Sequence, residues 1–326
     1  MAVYTRLGAE EMAAIIGAFD VGTLVSAKGI AEGVSNSNWL IETQDSSGAA
    51  RRFILTVYEA RTDVQDLPFF LDLLDHLAAR DCPVPRTMHD RDGASHRFHE
   101  GKALALIEFL PGVSVSDPAP AQARAVGAAL AQVHLAAADF GCERVNSMGL
   151  AAWQQLLGDC GREGLEAIHP ELARIVEHEL ALLSARWPAN LPRGVIHADL
   201  FPDNVLMLGD TVTGLIDFYF ACTDITAYDV AVTHAAWCFN ADGTRFLPAL
   251  SSALLEGYDS VRPLLDDERK ALPLLARGAA MRFLATRAYD WLNTPDDALV
   301  TLKDPMAFAR RLEFYANPAN ASIFAS

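Results

Sequence analysis

Apolar and polar positions alternate along much of the first third of the chain. Residues 24–30 and 38–44 show this pattern, and residues 52–58 (R-F-I-L-T-V-Y) form a mostly apolar run after a turn-forming D-S-S-G segment. Successive side chains of a strand point to opposite faces, so these runs predict strands, and the short polar segment predicts a hairpin. A further strand is predicted at 103–110, directly before a Pro-Gly breaker.

Helical spacing of apolar residues dominates the rest of the chain. One helix is predicted early, at 63–80, where a following P-V-P segment ends it. The later predicted helices are 119–138, 168–187, 226–240, 247–258, 266–292 and 305–316. Short strands interrupt them only within 195–217.

This change of pattern predicts an α+β fold with two lobes. The first domain is predicted at 1–111, as a small β-rich lobe, and the second at 112–326, as a larger and mostly helical lobe. The hinge between them is expected near Glu108 to Gly112.

Composition and charge exclude several classes of function. Hydrophobic residues make up 51% and charged residues 21% of the 326 residues, which is typical of a globular protein. The formal net charge of -16 argues against nucleic acid and anionic lipid as partners, since both require a basic surface. The same acidity suits solubility or a cationic substrate.

The cysteines and the N-terminal segment indicate a cytoplasmic protein. Five scattered cysteines form no C-x-x-C pair, so the sequence predicts neither a zinc site nor a disulfide framework. The first residues lack the pattern of a signal peptide, and no apolar run reaches about 18 residues. We therefore expect reduced thiols in the cytoplasm; the oligomeric state cannot be predicted.

Polar residues are concentrated in one short segment between two apolar runs, V-I-H-A-D-L-F-P-D-N-V-L-M at 195–207. Asp199 and Asn204 lie five residues apart in it, and Asp217 follows 13 residues after Asn204 in G-L-I-D-F. If the strands that carry Asn204 and Asp217 form a hairpin, their oxygen atoms converge, and such oxygens are the ligands that Mg²⁺ prefers. Asp199 would then face an attacking hydroxyl, as phosphoryl transfer requires.

These motifs resemble a known family. H-A-D-L-F-P-D-N followed by L-I-D-F is similar to the catalytic loop and the metal-binding aspartate of the protein-kinase-like fold, in its aminoglycoside/choline phosphotransferase branch. Segments 29–39, 53–59, 64–75, 197–206, 215–222 and 281–291 resemble homoserine kinases of this type. The resemblance implies a two-lobed protein-kinase-like fold. It also implies transfer of a phosphoryl group from ATP to the side-chain hydroxyl of L-homoserine, a step toward threonine.

The resemblance also implies roles for individual residues. Asp199 would be the catalytic base, and Asn204 and Asp217 would hold Mg²⁺. His197 would brace the loop, and Asp229 would be a loop or helix-cap carboxylate rather than a ligand. ATP would contact the phosphate-covering loop Ser35, Asn36, Ser37 and Asn38 and the hinge residues Glu108 and Leu110.

Two departures from the family pattern affect the nucleotide site. The loop of the small lobe lacks G-x-G-x-x-G and offers G-I-A-E-G and S-N-S-N instead, whose amides and polar side chains can still meet phosphate. Most kinases of this fold carry a lysine near the end of the strand where this chain has Thr56. Lys28, Arg61 and Lys102 are the alternative cations, and the sequence does not choose among them.

Recognition of a zwitterionic substrate requires charges of both signs. Arg282 and Arg287 are candidates for the substrate carboxylate, because a guanidinium can bind it through two hydrogen bonds. The candidates for the substrate ammonium are Asp203, Asp224 and Asp290.

Other functions stay open at this stage. The first alternative is a phosphotransferase for an aminoglycoside, choline or a methylthioribose-like sugar, which the acidic composition would suit. The second is a non-catalytic kinase-like binding protein, which only the absent strand lysine supports. Metal-dependent turnover of ATP with a panel of hydroxyl acceptors separates these alternatives from the first interpretation.

Overall fold

The computed structural model describes residues 5–30, 36–59, 63–295 and 301–325. Within it the chain forms two compact units, residues 1–111 and residues 112–326. The fold class expected from the sequence, a β-rich N-terminal part and a mostly helical C-terminal part, is confirmed.

The first unit is built around one antiparallel sheet. Its strands are ordered β1-β2-β3-β6-β4, and β5 pairs with β6. Strand β1 pairs antiparallel with β2, and β2 with β3, the second pair being the hairpin predicted around D-S-S-G. The elements of this unit are α1 (Ala9–Gly17), β1 (Thr23–Gly29), β2 (Ser37–Gln44), β3 (Ala50–Val57), α2 (Leu67–Ala78), β4 (Thr87–Met88), β5 (Arg97–His99) and β6 (Lys102–Glu108).

One face of this sheet packs on helix α1. Its core contains Ile16 from the helix and the side chains of Ile41, Leu55, Leu104 and Leu106 from the strands, all fully or almost fully buried. Alternation along each strand places the residues between them on the opposite face. The register therefore fixes which polar side chains share that second face.

The second unit consists of helices around two short antiparallel strand pairs. Strand β7 pairs with β10, and β8 pairs with β9. The elements are α3 (Pro120–Ala136), α4 (Leu150–Ile168), α5 (Leu172–Arg186), β7 (Arg193–Ile196), β8 (Val205–Leu208), β9 (Thr211–Leu215), β10 (Cys222–Ile225), α6 (Thr226–Trp237), α7 (Pro248–Asp259), α8 (Asp266–Asn293) and α9 (Met306–Ala316).

Helices α3 and α7 approach each other closely because a glycine lies on each side of the contact. A Cβ atom at Gly127 would collide with the backbone of Leu254, and one at Gly257 would collide with the backbone of Arg124. Only glycine permits backbones to pack this tightly. The close approach brings His134 of α3 to Tyr258 of α7, a pair that supports the candidate active site.

Every helix and strand predicted from the sequence has a counterpart in the structure, with ends shifted by a few residues. Three larger elements were not predicted: α1, α4 and β10. Helix α4 contains a kink at Gly161, whose φ is 65°. None of the helices in the described part of the chain has the length and apolar character that a membrane span requires.

Candidate active site

The polar segment 197–204 forms a loop between strand β7 and the β8–β9 hairpin. Strand β7 is anchored by β10, with Ile196 paired to Cys222. The hairpin pairs Val205 with Leu215, so that Asn204 and the residues just after Leu215 leave it side by side. The backbone N–H of Ile216 donates to the carbonyl of Asn204 at 3.0 Å. The predicted hairpin between Asn204 and Asp217 is therefore present.

Asp229 of helix α6 holds the start of the loop. Its Oδ2 accepts the backbone N–H of His197 at 2.7 Å, and its Oδ1 accepts that of Ala198 at 2.8 Å. Ala198 adopts a φ of 63°, which is uncommon for a residue with a side chain. The two hydrogen bonds thus fix the backbone in a strained conformation directly before Asp199.

A buried chain of side chains supports Asp229 in turn. Its carboxylate contacts Nε2 of His134 at 3.0 Å, and Nδ1 of that histidine contacts the hydroxyl of Tyr258 at 2.7 Å. Burial alone would raise the pKa of Asp229, but the hydrogen bond and charge of His134 outweigh it and lower the pKa. Asp229 is therefore an ionised support of the loop rather than a cap of its own helix.

His197 braces the loop from within. The side chain is fully buried, its Nε2 donates to the carbonyl of Ile216 at 2.9 Å, and its Nδ1 accepts the backbone N–H of Asp199 at 3.2 Å. Burial lowers the pKa of the imidazole, so His197 is neutral. Both nitrogens are used by the loop, which leaves the ring without a role in proton transfer.

Asn204 is oriented by Asp199. The side-chain amide of Asn204 donates to the carbonyl of Asp199 at 2.8 Å and to its carboxylate at 3.3 Å. Because the NH₂ group faces Asp199, the Oδ1 atom points elsewhere, and no hydrogen bond from the described residues engages it. Asp217 follows the hairpin with a φ of 65° and is exposed to solvent. The pair offers oxygen atoms of the kind that bind Mg²⁺.

The electrostatics of the loop also suit a cation. Desolvation raises the pKa of Asp199 to about 7, and the nearby charge of Asp217 adds to the rise while that of Arg282 opposes it. The carboxyl of Asp217 is reached by solvent but is closely surrounded by protein, and this partial desolvation raises its pKa to about 6. A divalent cation between Asn204 and Asp217 would relieve the repulsion between the carboxylates, so these residues fit the expected Mg²⁺.

The two arginines expected to bind the substrate carboxylate differ in their surroundings. The side chain of Arg282 is only 2% exposed, and it contacts the loop, where it lies 3.7 Å from the carboxylate of Asp199. Arg287, one and a half turns further along α8, lies over the ring of Phe308 at 4.5 Å. Among the described residues its only hydrogen bond is to the backbone carbonyl of Asp304, and none of their carboxylates pairs with it. Burial lowers the pKa of Arg287 to about 10.

The three predicted acceptors for the substrate ammonium also differ. Asp203 is exposed within the loop, and no described residue contacts its carboxylate. Asp224 lies on β10, away from the loop, where its carboxylate accepts from Asn146 at 2.7 Å and pairs with Arg193 at 3.1 Å. Because its carboxylate is already engaged by these two side chains, we do not assign Asp224 to the substrate ammonium. Asp290 is exposed near the end of α8 and has interactions of its own.

In the first unit, the segment predicted to cover phosphate is only partly a loop. Ser35 lies outside the described residues, whereas Ser37 and Asn38 begin strand β2. Ser37 is fully buried and its hydroxyl donates to Glu59 at 2.7 Å. Asn36 is also buried, and its Oδ1 accepts the backbone N–H of Glu59 at 3.2 Å. The structure thus differs from the interpretation of 35–38 as one phosphate-covering loop.

The predicted hinge residues lie at the end of β6. The backbone N–H of Glu108 donates to Arg86 at 2.8 Å and is already satisfied. No described residue forms a hydrogen bond with the backbone groups of Leu110. Leu110 therefore has both a donor and an acceptor free, as a residue that faces adenine would need.

The register of the sheet distinguishes the cations that the sequence left open. Thr56 pairs with Asn38, and its hydroxyl donates to the Asn38 side chain at 2.8 Å. Lys28 pairs with Leu40, two residues along β2 from Asn38, so Lys28 and Thr56 share one face of the sheet. Lys102 shares the face of the core residues Leu104 and Leu106 on β6, opposite to that of Thr56, and pairs there with Glu59 at 2.6 Å. Arg61 lies outside the described residues.

The sequence interpretation missed one supporting residue, His134, and left the role of another, Asp229, open between a loop and a helix cap. His134 lies in an Ala-rich helix that offers no local motif, so only the tertiary structure reveals its role. Asp229 had a recognisable signal, since it is a carboxylate inside the apolar segment T-A-Y-D-V-A-V-T, every residue of which is buried in the structure. A charge in such a segment requires a partner, and here the partner is the loop.

Comparison with known proteins agrees with this geometry. The model of the phosphotransferase enzyme family matches residues 26–264. The chain belongs to this family. It is 51% identical to a homoserine kinase of Azorhizobium caulinodans over 321 residues, which cover 98% of both chains. It is 49% identical to a homoserine kinase of Acidiphilium cryptum, with 99% of both chains covered.

Solved structures of more distant proteins share the fold. Amicoumacin kinase, determined in complex with AMP-PNP and Ca²⁺, aligns with a TM-score of 0.69 at 16% identity and covers 95% of this chain and 94% of its own. Spectinomycin phosphotransferase aligns with a TM-score of 0.69 at 13% identity, and the alignment covers 99% of both chains. These likenesses confirm the protein-kinase-like phosphotransferase fold.

Proposed function

We propose that this chain is a homoserine kinase, which transfers the γ-phosphoryl group of ATP to the side-chain hydroxyl of L-homoserine. The observation that carries the proposal is the convergence of Asp199, Asn204 and Asp217 around one loop, in a chain half identical to homoserine kinases over almost its whole length. The products are O-phospho-L-homoserine and ADP. The alternative of a non-catalytic binding protein has no support from this loop, whose polar residues are intact.

Asp199 acts as the general base in this proposal. Its carboxylate orients the homoserine hydroxyl and accepts its proton, while the oxygen forms a bond to the γ-phosphorus and the bond from that phosphorus to the bridging oxygen of ADP breaks. The Asn204 amide restrains the carboxylate at 3.3 Å, so the group is held in place before the substrate arrives. Such preorganisation reduces the entropy that must be lost at the transition state.

Asn204 and Asp217 would hold Mg²⁺. The free Oδ1 of Asn204 and the solvent-accessible carboxylate of Asp217 are oxygen ligands that leave room for water and phosphate oxygens. When bound, the ion supplies positive charge that neutralises the phosphates. ATP and Mg²⁺ are thus the expected cosubstrate and cofactor.

Arg287 is assigned to the carboxylate of homoserine and Asp203 to its ammonium group. Arg287 is half-buried and no carboxylate of the described residues pairs with it, so a partly desolvated guanidinium is available to an anion. Asp203 follows the base in the same loop and has a free carboxylate. A site built for both charges rejects acceptors that lack one of them.

The first unit is assigned to the nucleotide. Leu110, with its free backbone groups, and the neighbouring Glu108 would meet adenine, whereas Asn38, which pairs with Thr56, and Asn36 would face the phosphates. Lys28 is the cation that shares the face of Thr56, and no described residue binds its ammonium group. We assign to Lys28 the phosphate contact that a strand lysine makes in most kinases of this fold.

The test of the function is an ADP-release assay with purified protein, Mg²⁺-ATP and one acceptor at a time. Turnover is expected with L-homoserine, and little or none with choline or an aminoglycoside. Robust activity with an aminoglycoside and none with homoserine would overturn the proposed substrate but leave the phosphotransferase intact. We propose a cytoplasmic location, because all five cysteines lie in the described part of the chain and are free thiols.

A further inference from the structure

The guanidinium of Arg282 is buried against the catalytic loop rather than directed to solvent. Its Nη1 donates to the backbone carbonyl of Ala198, and its Nη2 lies 3.7 Å from Oδ1 of Asp199. The plane of the group is enclosed by aromatic rings, with Cζ 5.0 Å from the ring centre of Phe220 and 4.6 Å from that of Phe283. Asp199 is the one carboxylate within ion-pair distance among the described residues.

The two contacts of Arg282 fall on the strained part of the loop. The N–H of Ala198 is held by Asp229, and its carbonyl is held by Arg282, so both sides of this residue are fixed from different helices. The peptide that follows leads directly to Asp199. Helix α6 therefore fixes the N–H of Ala198 and helix α8 fixes its carbonyl, and together they position the base.

We propose that Arg282 is a positioning residue of the reaction, which sets the orientation of the Asp199 carboxylate and does not contact the substrate. This proposal rests on the proposed function and deepens it. Arg282 was a candidate for the substrate carboxylate from its sequence position. With its side chain only 2% exposed and its charge already paired, it has no accessible donor comparable to those of Arg287.

The two possible roles of Arg282 predict different kinetics. A positioning residue acts on the base whichever acceptor is bound, so its loss lowers kcat for every acceptor and leaves the KM for homoserine almost unchanged. Loss of a residue that binds the substrate carboxylate instead raises the KM for homoserine and leaves the turnover of an acceptor without a carboxylate unchanged. The acceptor 3-aminopropan-1-ol is homoserine without its carboxylate and separates the two cases.

The experiment compares Arg282→Lys and Arg282→Ala with the wild type on both acceptors, at high enzyme concentration for the poorer one. We expect kcat to fall at least about tenfold on each acceptor, since small displacements of catalytic groups have large effects on rate. The KM for homoserine should stay within about threefold. Arg282→Lys should keep more activity than Arg282→Ala, and methylguanidine should restore part of the activity of Arg282→Ala.

Arg277→Ala is the matched control. Arg277 lies on the same helix and is also largely buried, but its guanidinium binds Glu179 of α5 through two hydrogen bonds of 2.8 Å, away from the loop. Its loss should lower the melting temperature without a fall in kcat for the folded fraction, and methylguanidine should not change its rate. The melting temperature and the Mg²⁺-ATP affinity of each variant show whether it is folded.

A rise in the KM for homoserine with unchanged turnover of 3-aminopropan-1-ol would overturn the proposal and assign Arg282 to the substrate. Unchanged kcat in a folded Arg282→Ala would overturn it as well. If the wild type does not phosphorylate homoserine, the proposed function fails. The same comparison with whichever acceptor the wild type uses then still tests the positioning role.

Discussion

Asp229 binds the backbone N–H of His197 at 2.7 Å across 32 residues of sequence. This hydrogen bond connects the core of a buried helix to the start of the catalytic loop, and the second oxygen of Asp229 binds the next residue, Ala198. The loop is thus shaped from behind by a carboxylate that does not touch the reaction. Two consequences can be measured.

The first prediction is that Asp229→Asn loses both stability and activity. The amide keeps one acceptor oxygen but turns an NH₂ group toward a backbone N–H, which leaves a buried donor unsatisfied. We expect a loss of about 1–3 kcal/mol in the free energy of unfolding and at least a tenfold loss of kcat, because the base is displaced. Urea unfolding and an ADP-release assay measure them. Full activity in this variant would contradict the supporting role.

Asp229 should also contribute to the acid sensitivity of the protein. Its pKa is lowered in the folded state, so its contribution to stability is present above the ordinary pKa of a carboxyl and is lost as the pH falls through the lowered value. Urea unfolding of the wild type and Asp229→Asn at several acidic pH values should therefore show that the difference in stability shrinks as the pH falls.

The second prediction concerns the base. Asp199→Asn keeps the size of the side chain but cannot accept a proton, and removal of a general base commonly costs on the order of 10²–10⁴ in rate. We expect turnover to fall at least about 100-fold, with the affinity for Mg²⁺-ATP retained. A binding titration with ATP accompanies the rate measurement. Full activity in the variant would contradict the assignment of Asp199 as the general base.

The third prediction concerns the metal. Asp217→Asn should strongly reduce turnover and raise the Mg²⁺ concentration needed for half-maximal activity, because a neutral amide is a weaker ligand for a hard cation. The melting temperature without Mg²⁺ should not fall, since the exposed carboxylate makes no structural ion pair with any described residue. An unchanged dependence of the rate on Mg²⁺ would remove Asp217 from the metal site.

The fourth prediction separates the two lysines of the first unit. Lys28→Met should raise the KM for ATP about tenfold, as the loss of one charged hydrogen bond of about 1.5 kcal/mol implies. Lys102→Met should lower the melting temperature, because it leaves Glu59 without its cation, but should leave the KM for ATP unchanged. The reverse result would mean that the shared sheet face does not identify the phosphate-binding cation.

The fifth prediction tests substrate recognition. Arg287→Met should raise the KM for L-homoserine by at least about tenfold, because a charged hydrogen bond contributes roughly 1.5–3 kcal/mol, and should leave turnover of 3-aminopropan-1-ol unaffected. The preference for homoserine over that amino alcohol should therefore shrink. Kinetics on both acceptors provide the measurement. An equal loss on both would show that Arg287 does not read the carboxylate.

Much of this protein could be predicted from the sequence, because the relevant signals are local. The apolar run of β3 and the helical spacing of apolar residues in α2 are patterns within each element, and the Pro-Gly pair marks the change from strands to helices. Asp199, Asn204 and Asp217 could be recognised because their spacing lies within one loop and one hairpin, which the structure contains.

Only the tertiary structure decided the roles that depend on distant contacts. Asp229 and His134 reach the loop from other helices, and Arg282, a substrate candidate by sequence, faces Asp199 instead because the packing of α8 buries it. The choice between Lys28 and Lys102 required strand register, since a shift of one residue reverses the face of a side chain. Sequence determines which residues are neighbours along a strand or helix; packing determines which charges meet across the fold.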